Sequence, residues 1–366
     1  MSNDSAGSPA LKEIFDRARF SHIARETAAV WPAFDQQRFL DLATEGLDDL
    51  GIMQRMRRTA ESLHATLPQN YDQALEILDA LAPRIGHGFA SIALPEFVAL
   101  YGLERFERSM KALAFFTRFG SAEFAIRHFL TRDLDRTLGV MRGWAEDENE
   151  HVRRLASEGA RPRLPWSFQL RALAVNPGLT MPMLERMRAD PSLYVRKSVA
   201  NHLNDFSKDH PKWLLAQLDG WPQDVPETKW IVRHALRTLV KKGDPAALAL
   251  IGSTGAADLV VDAFAVTPSA VQLGDRITIS ASLTSTGAKA QRLVVDYAIL
   301  YVKKAGLSRK VFKLKEIGVE PGASISLTIS QTIRDFTTRT HHAGRHGVEL
   351  IVNGTVLAEA AFDLTI

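Results

Sequence analysis

The stretch Asp147-Glu148-Asn149-Glu150-His151-Val152-Arg153-Arg154-Leu155-Ala156 returns 43 positions later as Asp190-Pro191-Ser192-Leu193-Tyr194-Val195-Arg196-Lys197-Ser198-Val199. A weaker echo occurs at Val232-Arg233. A period of about 40–47 residues with a Val-Arg near a helix start is what HEAT-type arrays show. Helix pairs of this kind cannot close a core singly, so neighbours bury each other's apolar stripes and the array leaves an extended concave face. From about Leu11 to Leu250 the texture agrees: rich in Ala, Leu, Arg and Glu, with apolar residues at three- and four-residue spacing and short breaks at Pro or Gly.

Ser253-Thr254-Gly255-Ala256-Ala257 then forms a small-residue linker, after which Val, Ile and Thr alternate with polar residues. Arg276–Leu283 and Ser324–Ile329 read as half-buried strands, separated by turn signals at Leu273-Gly274-Asp275, Glu320-Pro321-Gly322 and Val352-Asn353-Gly354. About seven short strands in about 110 residues predict an immunoglobulin-like sandwich without the antibody Cys pair, although barrels share the pattern. The expected fold is mainly α: a HEAT-like helical-repeat solenoid over residues 1–252, followed by an all-β immunoglobulin-like sandwich over 258–366.

The chain has 366 residues, 46% of them hydrophobic and 24% charged, a globular composition with length for two domains. It contains no Cys, which excludes thiolate zinc sites, thiol nucleophiles and disulfides. The polar Met1–Ala10 segment lacks a secretory pattern, and no apolar run is long enough for a bilayer span, so a cytoplasmic protein without membrane contact is expected. The net charge of +3 permits an anionic partner without demanding one, leaving local clustering to decide. Neither a metal nor an organic cofactor is expected, because the histidines lack ligand spacing and no Gly-rich phosphate loop precedes a helix.

Two helices carry the chemistry-bearing side chains. In the first, Asp147 is expected as N-cap with Glu150 at N3, and Val152, Leu155, Ala156 and Gly159 form the inward stripe. Arg153, Arg154 and Glu158 fall off that stripe. Taken alone, Glu158 is accounted for by an i,i+4 ion pair with Arg154, a surface arrangement worth about 0.3–0.5 kcal/mol. The continuation Ser157-Glu158-Gly159-Ala160-Arg161-Pro162-Arg163-Leu164-Pro165-Trp166 shifts the balance. Arg153, Arg154, Arg161 and Arg163 are expected to project from a helix end and a Pro-stiffened loop, a geometry suited to phosphates. Trp166 suits stacking on a sugar or base and equally suits packing between two repeats.

The second helix follows Asp190-Pro191, with Ser192 as N-cap. It buries Val195, Val199 and Leu203 and presents Lys197, Asn201, Asn204 and Asp205, a polar ridge running on to Lys208. A carboxylate at a helix C-terminus opposes the macrodipole, so Asp205 needs a cation, for which Lys208 or Lys197 would serve, or a task. Glu158 and Asp205 thus occupy comparable places in adjacent repeats, with Glu123 a third acid one repeat earlier. Adjacent repeats aim such residues into one concavity, a functional-site expectation that single surface ion pairs would not raise.

At these residues the chain resembles the AlkC branch of the HEAT-like DNA alkylation repair glycosylases. The resemblance rests on Val152–Gly159 with Arg161–Trp166, on Tyr194–Asp205, and further on Leu11–Asp16 and Ser121–Arg127, and it covers the helical domain. Two departures are small: His202 stands where many relatives have Asn, and Lys197 where Arg is frequent. The sandwich matches a longer subgroup in which this domain helps to encircle DNA. That role would fall to Lys303, Lys304, Arg309 and Lys310 around the turn at Ala305-Gly306-Leu307-Ser308, to Lys313 and Lys315, and to Arg339, His341, His342 and Arg345. Lysines that protect a sheet edge from aggregation would give the same pattern.

The resemblance implies excision of cationic methylated bases of the 3-methyladenine type, without the full base extrusion most glycosylases use. A base already carrying positive charge leaves without strong-acid help. Carboxylates beside the oxocarbenium-like sugar stabilise the transition state and orient or deprotonate a water. Those tasks are expected of Glu158 and Asp205, with Glu123 supporting; the arginines position phosphates and Trp166 contacts the deoxyribose. The expected partner is double-stranded DNA containing alkylated bases, with no obligate protein partner and a monomeric chain. Two rivals make different predictions: a non-enzymatic solenoid adaptor exposes an apolar or acidic groove, and a catalytically dead DNA-binding relative has no need of the acidic cluster.

Overall fold

Short polar side chains write many of the helix starts. Asp16, Asp35, Asn70, Asp133 and Asn149 each precede a helix and accept a hydrogen bond from a backbone N–H of its first turn, satisfying donors the helix itself leaves open. The computed structural model describes residues 11–253, 255–304, 306–335 and 340–366. Met1–Ala10, Thr254, Ala305 and Arg339, which figured in the sequence expectations, lie outside the described residues. Sixteen α-helices between Arg17 and Leu250 precede eight β-strands among the described residues, the helical array and sandwich expected. No helix among them is long and apolar enough to cross a membrane.

The two repeat-bearing helices are Glu150–Gly159 and Leu193–Phe206, and they lie against each other. Val152, Leu155, Ala156, Val195, Val199 and Leu203 are all buried. The cap of the first differs from expectation. Asn149, not Asp147, is the N-cap and accepts from His151 N at 2.9 Å, while Asp147 accepts from Asn149 N at 2.8 Å. This Asx turn feeds the chain into the helix two residues later and makes Glu150 its first residue. Ser192 stands at the second N-cap, but its hydroxyl donates to Glu150 of the preceding repeat rather than to its own helix. Gly159 permits a close approach: a Cβ there would meet Ile126 Cγ2 at 2.4 Å.

The chain forms two compact units, one comprising residues through Asp209 with Gln223–Ile231, the other His210–Pro222 with Val232–Ile366. The second unit holds the sandwich. One sheet has β1 (Leu259–Thr267), β3 (Arg276–Ser285) and β6 (Ser324–Thr332) in the order β1-β3-β6. The other has β2 (Ala270–Gln272), β4 (Gln291–Lys303), β5 (Gly306–Val319), β7 (Gly344–Val352) and β8 (Thr355–Thr365) in the order β2-β8-β7-β4-β5. All pairings are antiparallel except β2 with β8. The alternation read in two segments becomes β3 and β6, registered with Ile279 opposite Ile329 and Ala281 opposite Leu327. Inward-facing Ile277 and Ile279 of β3 join Tyr297 and Ile299 of β4 and Phe362 of β8 in one core. The strand beyond the seven expected is the three-residue β2, too short to show a period.

Candidate active site

The site lies in the first unit, where the C-terminal ends of the two repeat helices meet the loop that follows the first of them. Glu158 is in the last turn of Glu150–Gly159 and Asp205 in the last turn of Leu193–Phe206. They are 6% and 4% exposed, so burial, not a surface ion pair, describes both. Burying a carboxylate demands compensation, and Arg161, two residues beyond the end of the first helix, supplies it to both. Arg161 Nη1 donates to Glu158 Oε1 at 2.7 Å, while its Nε and Nη2 donate to the two Asp205 oxygens at 3.0 and 3.3 Å. The other Glu158 oxygen accepts from Ser198 Oγ at 2.6 Å.

A second guanidinium extends the chain of charges. Arg154 Nη1 donates to Glu123 Oε2 at 2.6 Å and to Ser121 Oγ at 2.9 Å, and its Nη2 lies 3.9 Å from Glu158. The result is an alternating row, Glu123–Arg154–Glu158–Arg161–Asp205. Burial raises the pKa of Asp205, against the pull of Arg161, Lys208 and the Arg163 backbone N–H. Burial also acts on Arg154, but the charges of Glu123 and Glu158 carry its pKa above the ordinary arginine value.

Four expectations need correction. Arg153, Arg154, Arg161 and Arg163 do not project freely from the surface. Arg153 forms a bidentate pair with Asp190 at 2.7 and 3.1 Å, and Arg163 pairs with Asp209 at 2.8 Å, while Arg154 and Arg161 serve the row of acids. Arg154 is held chiefly by Glu123 rather than by its i,i+4 neighbour. The cation hydrogen-bonded to Asp205 at its helix end is Arg161; Lys208 adds a weaker electrostatic pull, and both Lys197 and Lys208 are exposed. The polar ridge is also broken, because Asn204 and Asp205 are buried and Asn201 is half-buried.

Trp166 is 60% exposed and adopts a left-handed backbone, φ 63°. That conformation is costly for a bulky residue and occurs where surroundings over-determine it. Its ring meets Phe89 edge-on at 6.1 Å. Phe89, Glu123 and Arg154 also line a cleft of about 330 Å³, together with His87, His151 and Tyr194. Arg154 lies over the Tyr194 ring, 4.7 Å from its centroid. Ser198 and Phe89 escaped the sequence reading. Ser198 is 40 positions from Glu158 and Asp205 is 44 from Arg161, close to the repeat period, so repeat-to-repeat spacing was the signal available.

In the second unit, Gly306, Leu307 and Ser308 of the expected turn instead lie in β5, paired with Lys303, Val302 and Tyr301 of β4. Lys303 donates to the Thr340 carbonyl at 2.6 Å, Arg309 pairs with Glu349 at 2.7 Å, Lys310 lies over Phe312, and Lys313 meets Glu316. Lys304, Lys315 and Arg345 are exposed. His341 is a further correction: it is buried, with Nδ1 3.0 Å from Asp335, and His342 is half-buried with its carbonyl engaged by His346.

Comparison with known proteins agrees with this layout. A family model described as DNA alkylation repair enzyme matches residues 98–239, and one described as the C-terminal Ig-like domain of the uncharacterised protein YhaZ matches residues 260–366. Uncharacterized protein YhaZ of Bacillus subtilis (strain 168) is 42% identical over 348 residues, spanning 94% of this chain and 97% of that protein. The solved structure of Pseudomonas fluorescens alkylpurine DNA glycosylase AlkC, bound to DNA containing an abasic site analog, is 54% identical with a TM-score of 0.95. That match covers 98% of this chain and 100% of the other. With likeness of that degree running through both the helical array and the sandwich, the chain belongs to the AlkC family of alkylpurine DNA glycosylases.

Proposed function

We propose that this protein hydrolyses the N-glycosidic bond of cationic N-alkylated bases in DNA, of the 3-methyladenine type and including other methylated bases such as 3-methylcytosine. The observation that carries the proposal is a pair of buried carboxylates, Glu158 and Asp205, fixed by one guanidinium in the loop that also holds exposed, strained Trp166. A base with formal positive charge needs no proton to leave. The barrier therefore lies in charge developing on the sugar, and preorganised carboxylates lower it without reorganising during the reaction. Asp205, whose burial makes it a stronger base than an ordinary aspartate, accepts a proton from the attacking water. Glu158 opposes the sugar's charge, and Glu123 supports through Arg154. Trp166 contacts the deoxyribose or its neighbour by stacking.

In this reading residues 1–252 carry the chemistry and residues 258–366 contact DNA. Arg153, Arg163, Lys197, Asn201, Asn204 and Lys208 lie around the site on the helical side. Lys303, Lys304, Arg309, Lys310, Arg339 and Arg345 supply phosphate contacts from the sandwich. The test is release of bases from methylated double-stranded DNA by the full-length chain and by Glu158→Gln and Asp205→Asn. Each variant is expected to lose about 100-fold or more in the single-turnover rate while binding abasic-site DNA as before. Undiminished base release by the double variant would refute the assignment.

A further inference from the structure

Arg127 plays no part in the chemistry above, yet it is completely buried. It occupies the first turn of the Ile126–Arg132 helix. Its Nη1 donates to the carbonyls of Gly159 at 3.1 Å and Arg161 at 2.7 Å, its Nη2 donates to the carbonyl of Phe168, and its guanidinium lies 5.3 Å from the centre of the Phe168 ring. Arg154 and Arg161 touch carboxylates directly. Arg127 instead has backbone carbonyls, and its Nε has no hydrogen-bond partner among the described residues. Burial, reinforced by repulsion from Arg161, brings its pKa down to about 10. A buried cation held this way is expensive.

The three carbonyls explain the expense. Gly159 ends a helix, where a cation also complements the macrodipole, and Arg161 and Phe168 bracket the loop that carries Trp166. Within that loop Ser167 N bonds Leu164 O at 3.3 Å and Leu170 N bonds Pro162 O at 3.1 Å, modest closure for a segment holding a left-handed tryptophan. The absent Cβ of Gly159, which would meet Ile126 Cγ2 at 2.4 Å, lets the Ile126–Arg132 helix start come close enough for Arg127 to reach underneath.

We propose that Arg127 is a positioning residue, an internal clamp that ties the two ends of the 160–168 loop together and so fixes Arg161, the carboxylates it holds, and Trp166. The catalytic part of this rests on the glycosylase reading of the site. Three donations in a rigid planar fork are what a guanidinium offers and an ammonium on a flexible stem does not.

The test uses full-length Arg127→Lys and Arg127→Met. Amide hydrogen exchange is followed by mass spectrometry on peptides across 160–170, beside single-turnover base release and affinity for abasic-site DNA. In Arg127→Lys, exchange in that segment should accelerate about tenfold or more with the remaining helices unchanged, and base release should slow by about tenfold or more, since small misplacement of reacting groups is costly. DNA affinity should stay within about twofold. Unchanged protection of the loop overturns the proposal; so does acceleration throughout the helical unit, the mark of an ordinary core residue, or a rate loss matched by an equal loss of affinity. Should Arg127→Met fail to fold, Arg127→Lys decides alone. If the wild-type chain releases no base, the glycosylase reading falls, and hydrogen exchange still decides whether the clamp exists.

Discussion

A single guanidinium that serves two buried acids sets up a conflict at Asp205. Arg161 favours its ionised form, whereas burial favours the proton, and burial prevails, raising the pKa above the ordinary 3.8. Two opposite pH dependences follow. In the proposed mechanism base release needs the carboxylate, so the rate should fall as pH drops through the raised pKa, with the acid limb lying above the ordinary aspartate range. Stability moves the other way: the folded state binds this proton more tightly than the unfolded chain does, so Asp205's contribution grows as pH falls through the folded value and is lost as pH rises through it. Single-turnover rates and denaturation midpoints followed from neutral pH down through the ordinary carboxylate range would measure both. An acid limb centred on the ordinary carboxylate value would show that Asp205 is not the base. The acids themselves were legible in the sequence because adjacent repeats place Glu158 and Asp205 alike. Their partners were not, since Asp190 and Asp209 meet Arg153 and Arg163 only across a repeat boundary, and nothing in local spacing separates a paired arginine from a free one.

Elements were legible where periodicity and turn chemistry agree, and less so where a side chain chooses between neighbours. The Asp147 to Asn149 shift in helix start is of the second kind, as two Asx positions separated by Glu148 each offer a cap and spacing does not choose between them. The Asn353-Gly354 turn between β7 and β8 is of the first. Both residues have positive φ, 47° and 81°, as a two-residue hairpin connection of the primed type requires. Gly354 has a second reason to lack a side chain: a Cβ would meet the Cα of Gly243 at 2.0 Å, a backbone atom with no rotamer to yield. Gly354→Ala therefore combines backbone strain with overpacking, and a loss of about 2–4 kcal/mol is expected in urea denaturation. A change within about 0.5 kcal/mol, the range of ordinary surface substitutions, would mean that the close approach to Gly243 is absent in solution.

At the scale of the whole chain, the change of texture near Ser253 marks where helices give way to strands, but it is not where packing divides. Helical residues from Val232 onward belong with the sandwich: Arg233 pairs with Glu316, Lys241 donates to the Val311 carbonyl at 3.3 Å, and Ser253 donates to the Arg292 carbonyl at 3.2 Å. Helical periodicity could not reveal this, because an apolar stripe does not specify whether a helix or a sheet will cover it. Cutting the chain after Ser253 therefore strips the last helices of their partners, and any fall in DNA affinity would mix unfolding with the removal of phosphate-binding charges. Neutralising charges in the intact chain separates the two. Lys304 and Arg345 are exposed and among the described residues form no ion pair, and Lys310 is exposed over Phe312, so Lys304→Gln, Lys310→Gln and Arg345→Gln together should leave the melting temperature near that of the wild type. If the sandwich touches phosphates through them, log K against log salt should flatten by about 0.9 for each phosphate that the variant no longer neutralises, with affinity reduced alike for damaged and undamaged duplexes. A triple variant with an unaltered slope would assign these charges to solubility and edge protection, and confine DNA binding to the helical side.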